Sequence, residues 1–442
     1  MDLRSSIAAV RFGLGRRPDG DAPADPVAWL DRQVARPAPQ RTLPGLAAPV
    51  TQAEAGELYQ RRAMRERGDN TVLREIGRVT EADAIAWMGH CLMSEQPFQD
   101  RLTNFWANHL TVSRRVRNAG MFIGPLIREV IRPHQFGRYE DLLVAAVRQP
   151  GLIIYLSNGR STGPNSEAAM RTTRGTQRGL NENLAREILE LHTLSPAGGY
   201  TQADVTEFAR ILTGWRVERG DSGAGFRFRE QAHEPGPKTL LGQRFPEGEE
   251  GGLAALRFLA RHPATHRHLA TKLARHFVAD DPPREAVAWL EAVLRDTGGD
   301  LGAASRALVR LPQAWAPPLS KVRAPLDYVL GAGRALGLGP EHAEGLMQAC
   351  ADFGQPVWTA PQPNGWPDTA EEWAQPEALL HRIQWAHALA GRFAQQRRDA
   401  RGFAAATLGP LVAPETLREA GRAGSPQDAL TLVLVSPEFQ RR

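Results

Sequence analysis

The chain has 442 residues, 42% of them apolar and 23% charged, which is enough to bury the core of two or three ordinary domains or of one extended helical domain. Its formal net charge is +5, yet only Lys238, Lys272 and Lys321 are lysines, and arginine carries the rest of the positive charge. Acids are interleaved with those arginines throughout, so the concentrated basic stripe or tail of a nucleic-acid binder is absent.

Residues 1 to 10 lack an apolar core long enough for a signal peptide, and no apolar run approaches a bilayer span, so the expected compartment is the cytoplasm. Arg16-Arg17 is followed by Pro18, Asp19, Asp21 and Pro23 where a twin-arginine leader needs an apolar segment. From 52 to 150 apolar residues recur at helical spacing, as in Ile85, Met88 and Leu92, and again in Leu102, Phe105 and Trp106. Cys91 and Cys350 are the two cysteines, both within apolar helical patterns, which leaves no disulfide framework and no cysteine zinc site.

The periodicity fails from 157 to 178, a loop rich in arginine and glycine that reads either as a binding lid or as a solvated disordered connection. It leads into 179 to 192, which predicts a helix crowded with acids, amides and a terminal imidazole. Thr201 with Asp204 predicts a capping box opening a helix through Leu212. Alternation in Phe226-Arg227-Phe228-Arg229, the turn Pro235-Gly236-Pro237 and the run from Thr239 predict a small hairpin. Helical spacing resumes from Leu253 to Phe277, and Asp280-Asp281-Pro282-Pro283 announces another helix. The loop from Pro356 to Pro367 carries Trp358 and Trp366 and reads as a rigid packed connection. The expected fold is mainly α, a multi-helical globular protein with a small β-hairpin insertion. Its expected parts are an N-terminal helical region over 1–220, the hairpin over 221–250 and a C-terminal helical lobe over 251–442, packed as one continuous unit.

At about 100° per residue, Leu184, Ala185, Ile188, Leu189 and Leu191 share one arc of the 179–192 helix, while Glu182, Asn183, Arg186, Glu187 and Glu190 share the other. Glu187 and Glu190 stand about one turn apart, where two carboxylates converge on a cation or divide acid and base roles. The same residues also suit an exposed ion-pair ladder running Glu182, Arg186, Glu190, with Asn181 as the N-cap. His192 falls on the core arc at the helix end, and His109 stands beside Phe105 and Trp106, each as a ligand or as a satisfied core histidine. His233 and Lys238 flank the hairpin turn; in an arginine-dominated chain a retained lysine marks a place for a point-like ammonium, unless its retention is neutral. Were His109, His192, His233 and Glu187 to meet, they would form a nitrogen and oxygen site for a divalent transition metal. Arg160, Arg171, Arg174 and Arg178 in the preceding loop would then clamp an anionic substrate. No zinc-protease helix, Walker loop, dinucleotide fingerprint or Gly-x-Ser-x-Gly elbow is present.

Several stretches carry a resemblance: Phe105-Trp106-Ala107-Asn108-His109, Arg132-Pro133-His134, Leu180 to Glu187, Glu190 to Leu194, Gly198 to Val205 and Leu212 to Trp215. It continues through His233, Lys238, Lys272 to Phe277, Lys321 to Pro325, Gly365-Trp366-Pro367 and Ser436 to Phe439. Together they resemble the bacterial family catalogued as domain of unknown function 1800, over nearly the whole chain. That resemblance supplies no reaction. It implies a partner, a sulfatase-like protein of the domain of unknown function 1501 family with a twin-arginine leader, and with it a periplasmic alternative by co-export. The residues thus point to a metal-dependent hydrolase or oxidoreductase acting on an anionic substrate through Glu182, Arg186, Glu187, Glu190 and Lys238. The alternatives are a non-catalytic binding or export partner, and a scaffold whose polar residues form a buried hydrogen-bonded network.

Overall fold

A computed structural model describes residues 2–18, 20, 23–66, 69–171, 179–221, 223–397 and 399–442. Among the described residues the fold is mainly α, with two small two-stranded antiparallel sheets. Among the described residues no helix is long and apolar enough to cross a membrane.

The core is organised around Phe12, at the end of the N-terminal helical segment. Its ring lies 5.8 Å from Phe98, 6.0 Å from Phe277 and 5.0 Å from Trp315, so four stretches remote in sequence close on one aromatic cluster. Phe98 belongs to the helix Pro97–His109, which starts on a proline whose missing N–H costs nothing in a first turn. Phe277 ends the helix Pro263–Phe277, whose residues 265, 266, 269, 270, 273, 274 and 277 are buried at helical spacing. Burying Phe277 alone contributes about 1.5–3 kcal/mol. The apolar run from Leu253 is cut into two helices, Glu249–Ala260 and Pro263–Phe277, because the proline disfavours helical geometry in the residue before it.

Buried arginines tie the helix ends. Arg334 donates to the carbonyls of Gly15 (2.8 Å), Cys91 (3.1 Å), Leu92 (2.9 Å) and Ser94 (3.1 Å), and so satisfies the C-terminal end of the long helix Thr71–Leu92. Part of the arginine excess is therefore structural. Its planar fork reaches several carbonyls at once, which an ammonium cannot do.

The turn-rich segment forms two hairpins, not one. Trp215–Glu218 pairs with Gly225–Phe228, and Lys238–Leu240 pairs with Gln243–Phe245. Leu241 and Gly242 both take positive φ, 49° and 75°, which is the two-residue turn whose twist matches an antiparallel pair. The local turn chemistry at Leu241-Gly242 thus closes the second hairpin on itself, leaving Phe226 and Phe228 to pair with the strand before them.

At the far end of the chain, Arg323 N–H donates to Gln440 O and Arg442 N–H to Lys321 O, both at 2.8 Å. This short antiparallel bridge carries Arg442 into the interior.

Candidate functional site

The acid helix spans Asn183–Glu187 and continues as a wider π-helical turn, Ile188–His192. Leu184, Ala185, Ile188, Leu189 and His192 are buried. Glu182 accepts from Arg186 (3.0 Å), Gln202 (2.8 Å) and Thr206 (2.7 Å), which binds this helix to Gln202–Ile211, itself opened by the Thr201 and Asp204 capping box. Glu187 is half-buried, and burial followed by the Glu190 charge pushes its carboxyl up. The N-cap is Glu182, not the expected Asn181, which stands one residue earlier and accepts the Asn183 N–H at 2.9 Å.

Of the histidines expected to meet, the structure joins two and separates the third. His109 and His192 have ring centroids 5.6 Å apart, and both are buried. Tyr139 donates its hydroxyl hydrogen to the His192 carbonyl, which can only accept, so at 3.0 Å it receives the Nε2 hydrogen of His109. Neutral His109 therefore keeps Nδ1 as an acceptor, and that atom has no hydrogen-bond partner among the described residues. Burial, then the positive charge of Lys272, drives His109 well down and His192 down to about 3, with the neighbouring backbone opposing only weakly. His233 lies elsewhere, with Nδ1 2.9 Å from Thr213 O and Nε2 2.9 Å from Lys238 Nζ and 3.1 Å from Gly248 N. Lys238 also donates to Glu234 O. Both His233 ring nitrogens are thus engaged, and the expected metal set of His109, His192, His233 and Glu187 is not assembled. Among the described residues no group of three or more His, Cys, Asp or Glu side chains is disposed to hold a metal.

The Arg loop is partly accounted for. Arg171 pairs with Glu167 on an exposed turn; Arg174 and Arg178 lie outside the described residues.

His109 also lines a concavity. A cavity of about 390 Å³ is walled by Phe105, His109, Trp358 and Trp366, by Lys272, Arg275 and His276 from one helix, and by Asp368, Asp327, Arg101 and Arg442. Of the residues singled out by spacing, His109 lines it; Glu182, Arg186, Glu187, Glu190, His192, His233 and Lys238 do not. His268, Lys272 and His276 follow one another at four-residue intervals and so share one stripe of Pro263–Phe277. The His268 ring lies 6.1 Å from that of His109 and its Nε2 donates to Leu191 O at 3.0 Å.

Asn108 fixes the opposite wall. Its side chain donates to Trp366 O at 2.9 Å and accepts Trp366 N–H at 2.7 Å. Gly365, at φ 81°, permits this approach, since a Cβ there would fall 2.5 Å from Asn108 O and Oδ1. Trp358 stands at φ 59°, a strained conformation for a large residue, with its carbonyl accepting Arg114 N–H at 2.8 Å.

The carboxylates of the wall are already occupied. Asp327 pairs with Arg101 at 3.0 Å and Arg442 at 2.8 Å. Asp368 accepts from His276 Nδ1 at 2.7 Å and from Arg442 at 3.1 Å, with Lys321 3.5 Å away. Although burial opposes it, the donors around them, His276 and then Arg442 and Lys321 for Asp368, Arg101 and then Arg442 for Asp327, hold both carboxyls well below the usual range. His276, pushed down to about 4 mainly by burial, is neutral, directs Nδ1–H at Asp368 and leaves Nε2 buried without a partner among the described residues. Lys272 alone among the wall's cations makes no hydrogen bond or ion pair among the described residues. Burial, reinforced by Arg275 and only partly offset by Asp368, lowers its amine to about 8.

A family model described as "Protein of unknown function (DUF1800)" matches residues 7–441. The chain belongs to that family. No curated protein and no solved structure matches the chain. The family contributes membership without a reaction, so the chemistry rests on the wall just described. Spacing pointed away from it because its members come from five separated stretches. One signal was legible: the scarcity of lysine. All three lysines are inside or at the edge of the core, with Lys238 4% and Lys321 1% exposed and Lys272 half-buried. Of the three, the hairpin turn marks only Lys238.

Proposed function

We propose that this protein is an enzyme acting on an anionic small molecule held in the Lys272 cavity. The supporting observation is the charge arrangement of the wall. Both of its carboxylates are taken up by arginines and His276, while among the described residues Lys272 makes no ion pair and Arg275 bonds only through Nε, toward Asp280 O at 3.1 Å. A half-buried cation that no carboxylate pairs is partly desolvated at a cost, and an anion entering the cavity would supply the missing charge. The apolar body of such a ligand would rest on Phe105, Val357 and Trp358. His276, oriented by Asp368, has the neutral tautomer of a general base, and Lys272 has an amine near the working pH.

The reading is tested by calorimetric titration of the intact protein with a panel of small carboxylates and phosphate esters, alongside Lys272→Met. At least one anion is expected to bind the native chain, with affinity falling about tenfold to a hundredfold in the variant, the loss of one charge-assisted contact. Equal binding to both proteins, or none to either, would overturn it.

A further inference from the structure

We infer that Lys272 is a nucleophilic amine that condenses with the carbonyl carbon of an anionic aldehyde or ketone, while Arg275 receives that molecule's charged group. The inference rests on the anion-binding reading above and goes beyond it by naming the electrophile. Three observations carry it. The first is that Lys272 and Arg275 line the same cavity from one helix, three residues apart, which brings an amine and a guanidinium to neighbouring positions of its wall. Another is the state of the other lysines. Lys238 Nζ is bonded to His233 Nε2 and Glu234 O, and Lys321 Nζ to Asp280 Oδ1 (2.5 Å) and Asp368 O. Their lone pairs are unavailable, whereas the Lys272 ammonium has no such partner among the described residues. The third is the residue type itself. Arginine supplies nearly all the positive charge of this chain, and for binding an anion alone its fork is the better tool; an amine differs in that it can lose a proton and attack carbon.

The step balances without an external oxidant or reductant. The nitrogen lone pair forms the C–N bond, the carbonyl π pair moves to oxygen, and that oxygen leaves as water carrying both amine hydrogens, so the imine replaces the carbonyl. The burial and the Arg275 charge that disfavour the ammonium increase the neutral fraction able to react.

The full chain is incubated with glyoxylate, and separately with pyridoxal phosphate, in the presence of cyanoborohydride, which reduces an imine to a stable secondary amine. Intact mass and peptide mapping then locate the adduct. One adduct is expected, on Lys272, forming roughly tenfold faster than on Lys238 or Lys321, with a rate that rises with pH and levels off above about 8. Lys272→Arg, which keeps the charge, should lose the adduct while retaining the native circular dichroism. Modification spread evenly over the three lysines, or absent from Lys272, would overturn the inference. Calorimetry with the same two probes separates the two readings: binding without an adduct leaves the anion pocket standing and removes the nucleophile, and neither binding nor adduct removes both.

Discussion

Replacing Lys272 with methionine should make the folded protein more stable. The Lys272 amine sits at about 8 against 10.5 for a free lysine, so its charged form is about 3 kcal/mol less favourable in the folded chain than in the unfolded one at neutral pH. Part of the side chain meets solvent in the cavity, and screening there reduces the figure to about 2 kcal/mol. Methionine has nearly the same length and no charge to desolvate, so that penalty disappears. Between pH 8 and 10.5 the unfolded lysine still holds a proton that the folded one has shed, and stability rises with pH across that window. The penalty is therefore complete below pH 8 and gone above about 10.5. Denaturant unfolding of both proteins in a buffer without binding anions should show Lys272→Met ahead by about 2 kcal/mol at pH 7, with the gap closing at pH 10 and above. For a chain of 442 residues the matching gain in Tm is only about 2 °C, so chemical unfolding is the better assay. A variant less stable than the native chain, or a gap that ignores pH, would refute the claim that this cation lacks a partner. A residue whose removal stabilises the fold is kept for something other than stability.

Asp368→Asn should act in the opposite direction, costing about 3–5 kcal/mol, because it leaves His276, Arg442 and Lys321 around a neutral amide. Since the folded Asp368 carboxyl is held low, its contribution is complete above about pH 4 and is lost as pH falls through the folded value, so the two proteins should converge in acid unfolding curves. His192→Leu should resist acid better than the native chain: His192 is depressed from 6.5 to about 3, so the unfolded state gains protons first and native stability falls across that window; an unchanged acid midpoint would contradict this. Glu182→Ala should lower stability by about 1 kcal/mol, through its clasp on Gln202 and Thr206, without changing anion binding; calorimetry showing lost binding at unchanged stability would instead give the acid helix a direct part in the chemistry. Gly365→Ala should weaken anion binding measurably, since its Cβ would fall 2.5 Å from Asn108 and push the Trp366 wall aside; unaltered binding would mean that this wall does not shape the cavity.

Much of the fold was legible locally. The two faces of the 183–192 helix, the Thr201 and Asp204 cap and the proline-led helix after Asp281 follow from periodicity, hydrogen-bonding groups and fixed φ, each of which acts within a few residues. The sequence by itself therefore determined a mainly helical protein, a hairpin-forming insertion and the place of His192 on a core-facing arc. Which polar residues share a site was decided elsewhere. His233 joined Lys238 at its own turn and left the other histidines, because two positive-φ residues at 241 and 242 close that hairpin locally. Lys272, Asp368 and Arg442 met because the Phe12 cluster packs the helix Pro263–Phe277 inward, Asn108 clasps Gly365-Trp366, and the last strand-like bridge returns along Lys321 to Arg323. Those contacts join residues up to several hundred positions apart, where periodicity carries no information and only the packing of side chain against side chain selects the neighbour.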